Sequence, residues 1–335
     1  MNIIKISHLW TPGQGTIMSS LLFNIIKKLS KKQLVFVKPK DADILIIGSY
    51  NIDKIYNRIV KSTLRRLKFN WAEIYYDYFQ RLTLFRKVQP ITIFFNTEPN
   101  LLFNAIKSDF SITSALGVNN ERHLRIPVWK ENIDWSKDGL LRSWNNSYNG
   151  KSYIYSNILR FGSFYDLKEL LKPQGKKFLE KKNICIFSTH MNEPRKTMYE
   201  EFSKNFVVNG YGKYFQKNII NHNMSNFNKK EIMKNYSFNL CPHNIIYPGI
   251  YEEKVPEAFL GECLPITWSD QNISYDFNPR AFVNLNDYIK DNFKEIIYLL
   301  KQREFLEKFT NQPLLISKPN LEKEFKFVKK IIDFL

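Results

Sequence analysis

The chain of 335 residues is strongly basic, with 50 Lys and Arg against 32 Asp and Glu and a formal net charge of +18. Hydrophobic residues make up 44% and charged residues 24%, which is typical of a globular protein and excludes disordered, collagenous and coiled-coil chains. The length suffices for two domains, each with its own core.

Cysteine usage and hydropathy indicate the compartment. Three scattered cysteines exclude a disulfide framework and favour a reducing setting. The N-terminal sequence MNIIKISHLW lacks the basic start and long apolar run of a signal peptide. No apolar stretch reaches the 18 or more residues of a membrane span. We therefore expect a soluble cytoplasmic protein, with a peripheral position on the inner face of a membrane left open.

The first third of the chain has the pattern of a parallel α/β sheet. Residues 2–6, 34–37 and 43–48 are short apolar runs typical of buried strands, and helical spacing of apolar residues predicts a helix over 16–29. A further strand is predicted at 91–95, followed by Asn-Thr-Glu-Pro-Asn. Strand and helix in alternation open a doubly wound domain.

A second α/β pattern follows a polar region. Residues 131–182 are irregular in pattern, and the Pro, Gly and Lys residues of LLKPQGKKFLEKK predict a linker over 166–182. Beyond it we predict strands at 184–187, 236–241 and 264–268 and helices at 196–205 and 253–261. The predicted division is a Rossmann-like domain over 1–165, the linker, a second Rossmann-like domain over 183–310, and a C-terminal helix over 311–335.

The last fifteen residues, 321–335, have the apolar spacing of an amphipathic helix. One interpretation is a terminal helix docked on the body of the protein. The other is a foot on a membrane surface, where its lysines would meet anionic lipid. Those lysines are Lys323, Lys326, Lys329 and Lys330.

Two short motifs are weak. Gly13 and Gly15 form half of a dinucleotide-binding fingerprint, but Met18 stands where its third glycine is expected, so a tight turn is favoured. Asp41 and Asp43 have the spacing of a metal-binding pair, but they directly precede an apolar strand, and we interpret them as structural. The five histidines lack the spacing of metal ligands, and we predict no catalytic metal.

The richest stretch is 236–288, which has the order strand, loop, helix, strand. Pro248 and Gly249 turn the loop, while Glu253 and Lys254 open the helix. Free N–H groups at a helix start, with a lysine beside them, suit a diphosphate, and a carboxylate there can accept hydrogen bonds from sugar hydroxyls. The alternative is that the acidic residues only complement the helix dipole.

The same stretch carries a family resemblance. It contains FNLC, then an Asn, then Gly-x-x-x-Glu-Lys, then LPITW and DFNPRAFVNLND, and it resembles the family 10 glycosyltransferases. These are alpha-1,3/1,4-fucosyltransferases that use GDP-fucose. The likeness is weaker over 183–235, and shorter likenesses occur at 93–100 and 122–127, in the order of the family.

The resemblance implies a GT-B arrangement, with two Rossmann-like domains and a cleft between them. The N-terminal domain would hold the acceptor and the C-terminal domain the nucleotide sugar. It also implies inversion at the anomeric carbon without a metal and with no cofactor besides the donor. Glu98 matches the family's general base, Arg195 its phosphate-binding arginine, and Glu253 and Lys254 its donor-binding pair. Three further residues match positions at the donor site: Asn244, Ile250 and Tyr251.

Three departures from the family pattern fall at this donor site. His243 replaces a Glu, Ile250 takes the place of a Tyr with Tyr251 one residue later, and Glu252 replaces a Thr. They leave open a different nucleotide sugar, or a sugar-binding relative without catalytic activity. A different class, a basic nucleic-acid-binding protein, would explain the net charge but gives the four matched residues no role. We therefore expect no nucleic-acid partner.

The remaining partners follow from the same resemblance. The acceptor is expected to be a hydroxyl of a surface glycan such as a lipopolysaccharide O-antigen, carried on a lipid. The excess of Lys and Arg would then draw the chain to an anionic membrane face.

Overall fold

A computed structural model describes residues 3–9, 11, 14–48, 89–96, 108–140, 145–148, 151–154, 160–181, 183–215, 228–243 and 245–335. The chain divides into two compact units. The first unit comprises Met1–Ile126, Trp135–Tyr155 and Asn320–Leu335. The second unit comprises Pro127–Asp134 and Ser156–Pro319. Each is described by itself below.

The first unit is built on a parallel six-stranded sheet in the order β2-β1-β3-β4-β5-β6. The strands are β1 Ile3–Leu9, β2 Gln33–Phe36, β3 Ile44–Ile47, β4 Ile91–Asn96, β5 Phe110–Thr113 and β6 His123–Arg125. The four residues of β3 are all buried, as expected for a central parallel strand covered on both faces. Asp43 accepts the N–H of Lys5 at 2.8 Å, which agrees with its structural interpretation.

The predicted helix over 16–29 is divided in two at Ser20. Helix α1 spans Gln14–Ser19 and α2 spans Leu21–Ser30. Ser20 has extended backbone and its hydroxyl accepts the N–H of Phe23 at 3.2 Å, so it caps the second helix. Apolar periodicity runs through both helices, which is why it did not reveal the break.

The first unit also holds an antiparallel pair, β7 Asn145–Tyr148 and β8 Lys151–Ile154. It lies in the region whose polar sequence was interpreted as irregular. Polar residues with no alternation carry little signal for a two-stranded ribbon, because such a ribbon needs no continuous apolar run.

The C-terminal helix α10 spans Glu322–Asp333 and belongs to the first unit. Phe327, Val328 and Ile331 are buried, and the Phe327 ring packs edge-on against Phe110 at 5.7 Å. The apolar face of this amphipathic helix is therefore covered by protein, and its four lysines are exposed. Within the described residues, no helix is both long enough and apolar enough to cross a membrane.

The second unit is built on a parallel five-stranded sheet in the order β10-β9-β11-β12-β13. The strands are β9 Ile184–Phe187, β10 Val208–Tyr211, β11 Phe238–Leu240, β12 Leu264–Thr267 and β13 Val283–Asn284. Its core includes Ile184 and Ile186 from β9, Leu240 from β11 and Phe202 from a flanking helix. In both sheets the first strand lies second from one edge, the next strand in the chain forms that edge, and the later strands add on the other side. This order is typical of Rossmann-like domains.

The helices of the second unit are short. They are α3 Val128–Glu131, α4 Leu167–Leu170, α5 Arg195–Ser203, α6 Lys229–Met233, α7 Lys254–Leu260, α8 Lys294–Leu299 and α9 Arg303–Thr310. Single 3-10 turns occur in both units at Pro39–Asp41, Ser136–Asp138, Lys177–Glu180, Lys213–Phe215, Gln271–Tyr275, Pro279–Ala281 and Leu285–Asp291.

The described part of the segment that the sequence indicated as a linker packs into the second unit. Leu170 and Phe178 are buried, and the side-chain amide of Gln174 donates to the carbonyls of Phe259 at 2.6 Å and Cys263 at 3.1 Å. Pro173 and Gly175 gave the segment a linker composition, while its buried contacts come from the residues between and around them. The assignment of acceptor and donor roles to the two domains stays a prediction.

Candidate functional site

The candidate site lies where the sheet of the second unit reverses its strand order. The chain passes from β9 to its neighbour β10, then returns to the other side of β9 to form β11. The segments that follow β9 and β11 leave the same edge of the sheet, since the two strands are parallel neighbours. This crevice at the carboxyl ends is where open α/β sheets bind ligands. The sequence-predicted donor residues follow these two strands.

Arg195 is the first residue of α5, eight residues beyond the end of β9. Its guanidinium donates from Nη1 to the carbonyl oxygen of His190 at 3.1 Å and is partly exposed. Glu193, just before the helix, accepts the hydroxyl of Thr197 at 2.7 Å and its N–H at 3.3 Å, which caps the first turn. The cation is thus held by backbone at the start of an ordered helix.

Lys254 is the first residue of α7 and reaches back over the loop that follows β11. Its ammonium donates to the carbonyl oxygen of Pro242 at 3.0 Å and forms a short ion pair with Glu252. The Lys254 side chain is 17% exposed and that of Glu252 only 5%. The lysine is therefore fixed in place by the loop rather than extended into solvent.

His243 lies fully buried beneath this pair. Its Nδ1 accepts the backbone N–H of Glu252 at 3.4 Å, which places the ring proton on Nε2. Burial, aided by the positive charge of Lys254, lowers the pKa of His243 to about 3, so the ring is neutral at pH 7. Arg195 also lowers this pKa, while Glu253 raises it. Asp270 raises it as well, so charged groups from several segments act on this one buried ring.

Ile250 and Tyr251 are buried in the loop itself. Ile250 is 6% exposed and Tyr251 is fully buried, with its hydroxyl donating to the Asp270 carboxylate at 3.1 and 3.2 Å. Burial raises the pKa of Tyr251 above its usual range. These contacts give both side chains a role in holding the loop, and their contact with the donor stays a prediction.

Three more predicted residues complete the account. Glu253 is half-buried at the start of α7 and makes no capping hydrogen bond with the helix. Glu98 and Asn244 lie outside the described residues. Their assignments therefore rest on the resemblance in sequence.

The sequence interpretation missed the burial of two carboxylates. Glu252 was interpreted as a helix-dipole residue and as a departure from the family pattern, and its burial was not expected. Glu257, an isolated charge in the apolar run of α7, is 1% exposed and accepts from Lys229 at 2.8 Å and from the Tyr165 hydroxyl at 3.3 Å. The single carboxylate within an apolar run was the available signal for Glu257, because such a residue is rarely buried without a partner. Glu252 is followed directly by Glu253 and Lys254, and the sequence carried no such signal for it.

A metal site in a protein needs several His, Cys, Asp or Glu side chains close together. Over the described part of the chain, no group of three His, Cys, Asp or Glu side chains is placed to hold a metal ion. The fixed positive charge at the site comes from Arg195 and Lys254.

Comparison with known proteins finds a family match over part of the chain. Residues 178–311 match the profile described as "Glycosyltransferase family 10 (fucosyltransferase) C-term". The resemblance to the family 10 glycosyltransferases, seen in the motifs of 236–288, is thereby confirmed over this region.

Individual proteins similar to this chain are also described as fucosyltransferases. The chain is 28% identical over 240 residues to the alpha-(1,3)-fucosyltransferase FucT of Helicobacter pylori, an alignment that covers 64% of this chain. The chain spans 46% of the length of that relative. A crystal structure of an alpha1,3-fucosyltransferase with GDP-fucose is similar at a TM-score of 0.62 and 18% identity, over 99% of this chain and 91% of that one. A second crystal structure, with GDP, gives 0.59 and 20%, over 99% and 89%.

The structural likeness bears on the fold. It confirms the predicted α/β class with two Rossmann-like domains, the class called GT-B.

Proposed function

We propose that the chain is an inverting, metal-independent alpha-1,3-fucosyltransferase that uses GDP-fucose. The observation that carries the proposal is that Arg195 begins the helix after β9 and Lys254, with Glu253 directly before it, begins the helix after β11. These two strands are parallel neighbours at the reversal point of the second sheet. This region lies within the family 10 match, and the resemblance in sequence assigns each of the three residues to a position of the family pattern. The relatives named for this activity support the choice of donor and linkage.

The donor end of the reaction needs fixed cations. When the bond between C1 of fucose and the phosphate oxygen breaks, the electron pair leaves with GDP, and negative charge develops on the diphosphate. Preorganised positive groups stabilise such charge most effectively because they do not reorganise during the reaction. Arg195 is suited to a bidentate clamp on phosphate oxygens, and Lys254, held by Pro242 and Glu252, provides a second fixed charge.

The acceptor end of the reaction needs a base. A sugar hydroxyl must lose its proton as its oxygen bonds to C1, and a positioned carboxylate can take that proton. Glu98 follows β4 by two residues and is our candidate. Attack opposite to the leaving diphosphate inverts the anomeric configuration. In this scheme residues 1–165 bind the acceptor and residues 183–310 the donor.

The acceptor class is the least constrained part of the proposal. We propose a hydroxyl of a lipid-linked surface glycan such as an O-antigen, reached at an anionic membrane face. The exposed lysines of α10 support an electrostatic contact with such a surface, although the apolar face of that helix is occupied by protein. Co-sedimentation with anionic vesicles, compared with neutral vesicles, tests this part alone.

The donor is tested by binding. Thermal shift and isothermal titration with GDP, UDP and CMP should show stabilisation by GDP, and GDP-fucose should be consumed when acceptor is supplied. Binding of UDP or CMP in preference to GDP would favour a different nucleotide sugar, the alternative that Ile250 and Glu252 raise. Failure of every nucleotide, together with salt-sensitive binding to RNA or DNA, would overturn the enzyme assignment.

The base is tested by Glu98→Gln, which preserves shape and removes the proton acceptor. Turnover should fall by about 10³-fold while GDP affinity stays within a factor of about two, since general-base groups contribute about 10²–10⁴-fold. Glu121→Gln, a change at an exposed carboxylate of the same unit, is the control. Transfer by the Glu98 variant at the wild-type rate would remove Glu98 from the mechanism.

The phosphate role is tested by Arg195→Ala. Loss of a charge-assisted bidentate contact should weaken GDP binding by about 10–100-fold and lower turnover. The matched control is Lys196→Ala, which removes one positive charge at the next residue, where the ammonium is exposed and 3.9 Å from Glu200. Equal GDP affinities of the two variants would contradict the assignment.

A further inference from the structure

Glu252 brings a buried negative charge into a site assigned to a dianionic or trianionic ligand. Its carboxylate is 5% exposed, pairs with the Lys254 ammonium, and has Oε2 at 3.9 Å from Nδ1 of His243. His243 accepts the backbone N–H of the same residue, so both the main chain and the side chain of Glu252 are held. The family pattern has a neutral Thr at this position, and the charge is therefore a feature of this chain.

The pair changes the electrostatics that a ligand meets. A carboxylate in contact with an ammonium cancels much of its field at a distance, and at low solvent exposure the cancellation is little screened by salt. A phosphate oxygen that approaches Lys254 has to compete with the Glu252 carboxylate for the N–H groups of the ammonium. The affinity of the Lys254 ammonium for an anion is therefore lower than that of an ammonium without a carboxylate partner.

We propose that Glu252 is a positioning residue which, through Lys254, sets how tightly the enzyme holds its nucleoside diphosphate product. It keeps the ammonium at the Pro242 carbonyl and moderates its charge, so that GDP is bound tightly enough for catalysis and released afterwards. The inference rests on the proposed function, because it takes Lys254 to be a diphosphate contact.

The sign of the effect distinguishes this role from a structural one. Glu252→Gln keeps the shape and an oxygen that can accept from Lys254, but removes the negative charge. A residue that only supports the loop would, when changed, weaken ligand binding. Here GDP binding should become tighter, even though the ligand-free protein loses stability because Lys254 is left without its counter-charge.

The experiment compares Glu252→Gln with a matched control, Glu262→Gln. Glu262 belongs to the same unit and also pairs with lysines, Lys177 at 2.7 Å and Lys181 at 3.6 Å, but lies in the turn before β12. Isothermal titration with GDP should give a dissociation constant about tenfold lower for the Glu252 variant, and one within about twofold of wild type for the control. Steady-state kinetics should show a lower KM for GDP-fucose and stronger product inhibition by GDP.

A second pair of variants keeps the proposal falsifiable if Glu252→Gln folds poorly. Glu252→Asp retains the charge, and its GDP affinity should stay near the wild-type value. In a Lys254→Met background, adding Glu252→Gln should change GDP affinity by less than about twofold, because the effect acts through the ammonium.

The outcomes separate the two levels of inference. If wild type binds GDP and Lys254→Met weakens it, but Glu252→Gln leaves affinity unchanged or lowers it, the role of Glu252 is overturned and the enzyme assignment stands. If wild type binds no GDP, the proposed function fails and this inference fails with it. Tighter binding by both the Glu252 and the Glu262 variants would indicate a general charge effect and would also overturn the proposal.

Discussion

Two buried Glu–Lys pairs flank the start of helix α7, and they differ in how completely they are enclosed. Glu257 is 1% exposed, and besides Lys229 it accepts the Tyr165 hydroxyl, which in turn accepts the side-chain amide of Asn132 at 3.1 Å. Glu252 pairs with a lysine that begins the helix and lies on a loop at the open edge of the sheet. The same two residue types thus form an interior network and a loop-borne pair within six residues.

The same kind of ion pair, Glu with Lys, has a different role in each place. The Glu257 network joins α3, α6, α7 and the segment around Tyr165, all in the second unit, and its groups bind one another. Such a network holds α7 in place, and with it the start of the helix where Glu253 and Lys254 lie. The Glu252 pair stands at that start, where we propose that the diphosphate binds. We therefore expect variants of the first pair to change stability and variants of the second to change binding.

The largest expected effect is on stability, from Glu257→Gln. The change leaves Lys229 buried without its counter-charge, and breaking a buried ion pair by removing one partner costs about 3–5 kcal/mol. Gln keeps the shape and an oxygen that can still accept from Lys229, so we expect the lower end of this range, about 3 kcal/mol. Urea denaturation of the purified variant measures the loss.

The control for that prediction is the exposed pair of Glu262. Glu262→Gln should cost less than about 1 kcal/mol, as is usual for surface ion pairs. GDP affinity of the folded Glu257 variant should stay within about twofold of wild type. A stability loss equal to that of the Glu262 control, or a large change in GDP binding, would remove the contrast between the two pairs.

The second prediction concerns the pH dependence that His243 adds beside the Glu252 pair. Its folded pKa of about 3 lies below the unfolded value near 6.5, so the unfolded chain binds the extra proton first as pH falls. The stability contribution is complete above pH 6.5 and is lost as pH falls toward 3. The charges acting on this pKa are those of Lys254, Glu253, Asp270 and Arg195.

His243→Gln removes this titration. Between pH 6.5 and 4 the free energy of unfolding of wild type should fall more steeply than that of the variant, by up to about 1.4 kcal/mol per pH unit. Urea denaturation at a series of pH values gives both slopes. His190→Gln, at an exposed residue near Arg195, should keep the wild-type slope. Parallel curves for wild type and His243→Gln would show that the ring does not titrate with unfolding.

Much of this architecture could be predicted from sequence, because parallel strands buried on both faces consist of consecutive apolar residues. The strand at 184–187 was predicted with the observed bounds, and those at 236–241 and 264–268 within two residues at each end. The strand β10, with the sequence VNGY, was not predicted, since it lies at an edge of its sheet and is only half-buried. An edge strand needs neither the apolar run nor the strict alternation that periodicity detects.

The candidate site could be located from sequence, but its electrostatics could not. Motif positions placed Arg195, Glu253 and Lys254 in one region. That Glu252 pairs with Lys254 and that His243 is buried neutral depend on how the loop folds back after β11, which spacing alone does not specify. The identity of the general base remains a prediction from resemblance.

The smallest expected effect comes from Tyr251→Phe, which tests whether this residue belongs with the loop or with the ligand. The variant loses the hydroxyl bond to Asp270, a half-buried carboxylate whose Oδ1 still accepts the N–H of Asn272 at 2.9 Å. We expect a loss of about 1–2 kcal/mol in urea denaturation, the range of a hydrogen bond to a charged group. GDP affinity should change by less than about threefold. A tenfold loss of GDP affinity with unchanged stability would instead show that the Tyr251 hydroxyl contacts the nucleotide. The residues whose variants change binding rather than stability would then include Tyr251 as well as Glu252 and Lys254.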